Sequence, residues 1–222
     1  MAGQAAMGEA HRVRDTNMTG DDLAQLVARG YELRGVEFKG PGRRDDKHFF
    51  SRVARAVLGM SNNRDGGIIV LGVAEEGTLL CPLGLSPEQL TTWAYDDVVA
   101  GLSKYADPPA NFDLEHVEMD ASSYVVLRVH EFDDVPILCA KNFTTENGKF
   151  VLRQGACYVR SRGRRETTEI PTQAEMRDLL DLAAEKRLRA HVAMSQRAGV
   201  VLGAESRTTS KENYARELED IS

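Results

Sequence analysis

No run in this sequence approaches the roughly 18 consecutive apolar residues that a membrane-spanning helix needs. The opening MAGQAAMGEAHRVRD also lacks the apolar centre of a secretory signal. Neither membrane insertion nor secretion is expected, and a cytoplasmic location is. Cysteine is sparse: Cys81, Cys139 and Cys157 are odd in number, widely spaced and without a C-x-x-C pair, which argues against a disulfide framework and a structural zinc. His11, His48, His116, His130 and His191 show no metal-ligand spacing. There is no G-x-x-x-x-G-K-[ST] and no G-x-S-x-G, so a P-loop NTPase and a serine hydrolase are poor fits and no NTP or organic cofactor is indicated. Positive charge is in deficit, 28 Lys plus Arg against 34 Asp plus Glu for a net −6. Such a chain does not coat nucleic acid or anionic membrane indiscriminately, although the total leaves room for a local basic strip.

What is present has ordinary globular composition: 222 residues, 42% hydrophobic, 28% charged, enough for one sizeable core. Residues 1–18 read as a tail, 19–189 as one domain, and 190–222 as a polar tail or linker. Thr19 followed by Asp21 and Asp22 predicts a helix start, with Leu23, Leu26 and Val27 as its apolar stripe and Gly30 as its stop. GVEFKG predicts a strand with Glu37 and Lys39 on one face. From Asp46 to Ser61 the apolar residues return at helical spacing. The run from Ile68 to Val73 predicts a strand buried on both faces at the centre of a sheet. Glu75-Glu76-Gly77 predicts a turn into a return strand at Leu79. Ser86-Pro87 predicts the start of a helix through Leu90, Trp93, Val98 and Leu102. Strands are expected at 112–119, 123–131, 135–140, 149–153 and 156–161, with a hairpin turn at Glu146-Asn147-Gly148. A last helix is expected from Thr168 to Arg189, with Met176, Leu179, Leu180, Ala183 and Leu188 inward. The order implies an α+β domain, a mixed and largely antiparallel sheet flanked by helices.

Two constellations carry chemistry. Glu32 and Glu37 converge only if the backbone bends, which Gly35 permits. Two carboxylates drawn together call for a hard divalent cation, and Lys39 beside them suits stabilisation of a phosphate under attack. A third carboxylate would come from Glu75 or Glu76. The plain alternative is a solvated strand face and an exposed turn. The second constellation is Arg153, Tyr158, Arg160, Arg162, Arg164 and Arg165, a segment without acids in an acidic chain. If 156–161 is a strand, Tyr158, Arg160 and Arg162 share a face, offering guanidinium forks to phosphates and a ring to a base. The alternative is a set of surface arginines paired with Glu166 and Glu169.

Taken in order, the capped helix, Glu32-x4-Glu37-Phe38-Lys39, Asn63 with Gly66-Gly67, Ile68 to Val73, and Tyr158-Val159-Arg160 resemble the Schlafen AlbA-type (AlbA_2) domain family over about residues 19–185. The resemblance implies an α+β domain that engages nucleic acid, RNA or DNA. In the animal schlafens it implies Mg²⁺- or Mn²⁺-dependent cutting of transfer and ribosomal RNA by three carboxylates. By motif these fall on Glu32, Glu37 and Glu75, the last standing where the nuclease members have Asp. Animal schlafens join two such lobes, so a homodimer would supply the second here. The leading expectation is nucleic-acid binding, RNA preferred, through the Arg-rich face. The alternatives are a metal-dependent endoribonuclease and a regulatory protein-interaction module.

Overall fold

The computed structural model describes residues 17–29, 34–77, 79–161 and 166–199. In chain order the elements are α1 (Gly20–Ala28), β1 (Val36–Lys39), α2 (Lys47–Ser61), β2 (Gly67–Leu71), β3 (Val73–Glu76), β4 (Leu79–Pro82), α3 (Pro87–Leu90), α4 (Tyr95–Leu102), β5 (Ala106–Asp107), β6 (Phe112–Met119), β7 (Ser122–Val129), β8 (Leu138–Cys139), β9 (Phe143–Thr144), β10 (Phe150–Leu152), β11 (Tyr158–Arg160), β12 (Thr167–Glu169) and α5 (Gln173–Arg197). The class is α+β. A four-stranded sheet in the order β1-β2-β7-β6 is accompanied by two-stranded pairs. β1 runs parallel to β2, and β2, β7 and β6 are antiparallel.

The apolar run after Gly66 lies inside this sheet, as its β-branched composition predicts. Side chains alternate across a strand. Ile69 and Leu71 of β2 therefore join Val125, Leu127 and Val129 of β7 in the core under α2, while Val70 and Val126 join Leu23 of α1 and Val36 and Phe38 of β1 in a second core. Each fully buried Leu or Val side chain contributes about 1.5–3 kcal/mol, so the sheet is held from both sides. α2 begins where the Asp46 side chain accepts from the His48 and Phe49 N–H groups. Beyond its C-terminus the chain turns through Asp65 (φ 66) and Gly66 (φ 68). A side chain at Gly66 would put Cβ 2.0 Å from the Val129 carbonyl oxygen, so this turn requires glycine.

The structure departs from the sequence expectation at two helices. The helix expected from Ser86 is broken into α3 and α4, because Trp93 turns fully inward. Its indole Nε1 donates to the Gly42 carbonyl at 3.0 Å, with Phe49 and Phe50 against the ring. The last helix does not begin at Thr168. Thr167–Glu169 pairs with β11 as β12, and the helix starts after the Thr172 cap. It continues to Arg197, into the segment read as a tail. Its inward residues are Leu179 and Leu182 with Ala183 at their margin, whereas Met176, Leu180 and Leu188 are 42%, 57% and 61% exposed. Of the strand expected at 135–140, only Leu138–Cys139 pairs, with β5. Among the described residues no helix is long and apolar enough to cross a membrane.

Candidate functional site

β1 is an edge strand, and its register sets which way its charges face. Glu37 pairs with Ile69 and Lys39 with Leu71, so both charged side chains lie on the α2 side of the sheet, as the period of two predicts. The hairpin of β11 and β12 closes against them. Arg160 and Thr167 are register partners, and both reach Glu37. Arg160 Nη1 donates to Glu37 Oε2 at 2.8 Å and Thr167 Oγ1 to the same oxygen at 3.3 Å. Lys39 Nζ donates to Glu37 Oε1 and, at 3.4 Å, to the Phe38 carbonyl. The Arg160 guanidinium also donates to the Arg34 and Val36 carbonyls at 3.2 and 3.3 Å. Its planar fork thus joins a buried carboxylate to the backbone leading into β1.

This geometry corrects the expected arginine face. Tyr158 and Arg160 do share a side, but that side is interior, each being 2% exposed. The Tyr158 hydroxyl accepts from the Arg153 N–H at 2.9 Å, and the Arg55 guanidinium lies 5.2 Å from its ring centre. Tyr158 therefore offers no platform to a base, and Arg160 is spent on Glu37 and on carbonyls rather than presented to phosphates. Arg153 is exposed, beside the Phe150 ring at 5.4 Å and with Nε 3.6 Å from Glu169 Oε1. Arg162, Arg164 and Arg165 lie outside the described residues, between hairpin ends joined by the Ser161 N–H donating to the Glu166 carbonyl at 3.2 Å.

Of the expected metal ligands, Glu32 lies outside the described residues. Glu75 is exposed on β3, opposite Leu80 of β4 in the hairpin that the sequence predicts. Glu37 is the buried one at 6% exposure, and both its oxygens already accept from cations. A divalent ion takes carboxylate oxygens that are free to face it. Among the described residues no group of three His, Cys, Asp or Glu could hold a metal.

Sequence reasoning missed the role of Asn62. Its amide Nδ2 donates to the Ile137 and Tyr158 carbonyls at 2.8 and 2.9 Å, and its Oδ1 accepts from the Ile137 N–H at 2.8 Å. It ties the end of α2 to β11, and an Asn-Asn pair at a helix end was the only available signal. A cavity of about 250 Å³ opens beside it, with Arg34, Arg64 and Arg160 among its walls and Glu175, Asp178 and Asp181 of α5 facing them. Its walls of both signs suit a packing seam better than an anion site.

The sequence profile described as Schlafen, AlbA_2 matches residues 32–167. None of the curated proteins matches the chain. Among solved structures, the DIP2311 protein from Corynebacterium diphtheriae is 12% identical at a TM-score of 0.42, with 66% of this chain covered. The chain spans only 25% of that protein's length. The N-terminal domain of a RecG-related protein from Nitrosomonas europaea is 17% identical at a TM-score of 0.44, with 71% of this chain and 99% of that domain covered.

Proposed function

The chain belongs to the Schlafen AlbA_2 family, and from that premise we propose that it binds nucleic acid, RNA in preference to DNA, with Arg162, Arg164 and Arg165 contacting phosphates. One observation carries this reading: the ends of the hairpin that bears these arginines are clamped to the sheet edge by hydrogen bonds and ion pairs. Arg160 and Thr167 hold Glu37 from the hairpin, and Lys39 holds it from β1. Arginines mounted on a fixed base lose less conformational freedom on meeting phosphates than arginines on a free tail. Arg160 and Glu37 are then positioning residues, and the contacts themselves belong to the connecting segment. RNA is preferred on the family resemblance, and the test below compares it with DNA.

The test is filter binding of a transfer RNA and of a DNA of equal length over a range of salt. Affinity for a single strand is expected to fall with salt at about 0.7 logarithmic units per phosphate contact. Replacing Arg162, Arg164 and Arg165 with Ala is expected to lower that slope by about 2 and to leave thermal stability unchanged. A slope and affinity untouched by the triple replacement would overturn the reading. End-labelled transfer RNA with Mn²⁺, Mg²⁺ or EDTA separates binding from the alternative, a metal-dependent endoribonuclease using Glu32, Glu37 and Glu75. That alternative requires Glu37 to release its cations. Binding alone leaves the RNA intact, whereas cleavage lost in Glu75→Ala, an exposed position, would establish the nuclease. A homodimer belongs to the same reading, and light scattering that gives a strict monomer would remove it.

A further inference from the structure

The end of α2 remote from the hairpin carries a second basic feature. Lys47 at the helix start, Lys104 after α4 and Lys141 after β8 line a groove of about 430 Å³, with Arg44 and Asn142 beside them. All three lysines are exposed, and none forms an ion pair among the described residues. The acid on the groove wall, Asp45, is engaged by Arg43, whose Nε and Nη2 donate to its two oxygens at 2.8 and 2.6 Å. The apolar wall is Phe50, Tyr105 and Phe143. It closes tightly because residue 101 is glycine, where a Cβ would stand 2.6 Å from the Phe50 ring. Three unpaired ammonium groups around an aromatic wall, in a chain of net charge −6, are an uncompensated concentration of positive charge. An ammonium binds phosphate as a point charge from any direction.

The groove is joined to the hairpin by α2. That helix, KHFFSRVARAVLGMS, contains no acid. His48, Arg52, Arg55 and Gly59 recur at a spacing of four, three and four, so they form one stripe. The stripe ends at the hairpin, where Gly59 packs on Thr167 and Arg55 lies over Tyr158. Asn142 of the groove accepts from the Gln154 N–H at 2.8 Å, which places the exposed Arg153 beside the same path.

We infer that the groove of Lys47, Lys104 and Lys141 is a second phosphate anchor for the bound nucleic-acid strand, which runs along α2 from the hairpin to the groove. The inference rests on the nucleic-acid reading above and adds the course of the strand. Fifteen helical residues span about 22 Å, which corresponds to roughly six nucleotides of a stacked strand at about 3.4 Å each and to about half as many of an extended one. A strand shorter than that meets one anchor only, and a longer one meets both.

The test measures fluorescence anisotropy with labelled single-stranded RNAs of about 3 and about 20 nucleotides, lengths that fall on either side of that span whether the strand is stacked or extended. The protein is compared with the triple variant Lys47→Ala, Lys104→Ala, Lys141→Ala and with the same three positions changed to Arg. Ala at the three positions is expected to weaken the long strand about tenfold or more and to lower its salt slope by about 2. The short strand is expected to be unaffected, and Arg to restore the long one. Equal binding of the long strand by the unaltered protein and the Ala variant, with equal slopes, overturns the second anchor while the nucleic-acid reading stands. Equal loss on both lengths overturns the two-anchor path. If the unaltered protein binds neither strand, the nucleic-acid reading falls first and this inference falls with it.

Discussion

Arg160 of β11 donates to Glu37 of β1 at 2.8 Å across 123 residues of chain, with 1% and 8% of the two side chains exposed. The pair joins the hairpin to the sheet edge. Breaking a buried pair by removing one partner leaves the other charge without compensation and costs about 3–5 kcal/mol. Glu37→Ala is therefore expected to lower the melting temperature on the order of 10 °C, with or without EDTA, and Glu37→Gln to lower it less. Thermal denaturation followed by circular dichroism measures this. A Glu37→Ala protein as stable as the unaltered one would show that the pair does not hold the hairpin.

Asn62 offers a second point of attack on the same junction. Truncation to Ala leaves the Ile137 N–H and the Ile137 and Tyr158 carbonyls without this partner. Buried groups left unpaired cost about 1–3 kcal/mol each when water cannot reach them, and relaxation recovers part of that. A loss of about 2–4 kcal/mol in urea denaturation is expected. A loss below roughly 0.5 kcal/mol, the scatter of a surface substitution, would contradict the role assigned to Asn62.

Acid is expected to loosen α5 from the end of α2. Arg64 Nη2 lies 2.9 Å from Glu185 Oε2, and this hydrogen bond holds the Glu185 carboxyl below its ordinary value of 4.5. A carboxyl whose folded pKa is depressed stabilises the fold above its unfolded pKa, and that stabilisation is lost as pH falls through the folded value. The melting temperature should therefore drop as pH is lowered below about 4.5, and Glu185→Gln should flatten part of that drop. An identical pH profile in the variant would remove Glu185 from the account.

Cys157 is expected to resist alkylation in the folded protein. Burial pushes its thiol up to about 11, so at pH 8 roughly one molecule in a thousand carries the reactive thiolate. Iodoacetamide labelling read by mass spectrometry should modify Cys157 only after denaturation. Labelling at the same rate with and without urea would contradict its burial.

Elements whose burial follows one simple period were legible in the chain. The strand from Gly67, the α2 stripe, the return strand at Leu79 and the turn at Asn147-Gly148 needed only local sequence, whereas Glu75 and Glu76, expected in a turn, pair with Leu80 and Leu79 as the end of β3, and the turn begins at Gly77. Periodicity makes one helix of α3 and α4, because the spacing of Leu90, Trp93, Val98 and Leu102 carries no sign that Trp93 turns into the core and breaks the run. Met176, Leu180 and Leu188 face outward, against the expectation, for a related reason. Composition marks a stripe as apolar, but only the partner surface decides which stripe is covered, and Leu179 with Leu182 meets the core.

By itself the sequence determined the α+β class, the strand face shared by Glu37 and Lys39, and the concentration of arginines near the end of β11, because each depends on residues close together along the chain. Tertiary structure decided what those residues do. Arg160 and Tyr158 became interior groups, Glu37 became the acceptor of two cations, and Lys47, Lys104 and Lys141 were gathered into one groove. Burial and ion pairing depend on which segments meet, and these meetings join residues tens to more than a hundred positions apart.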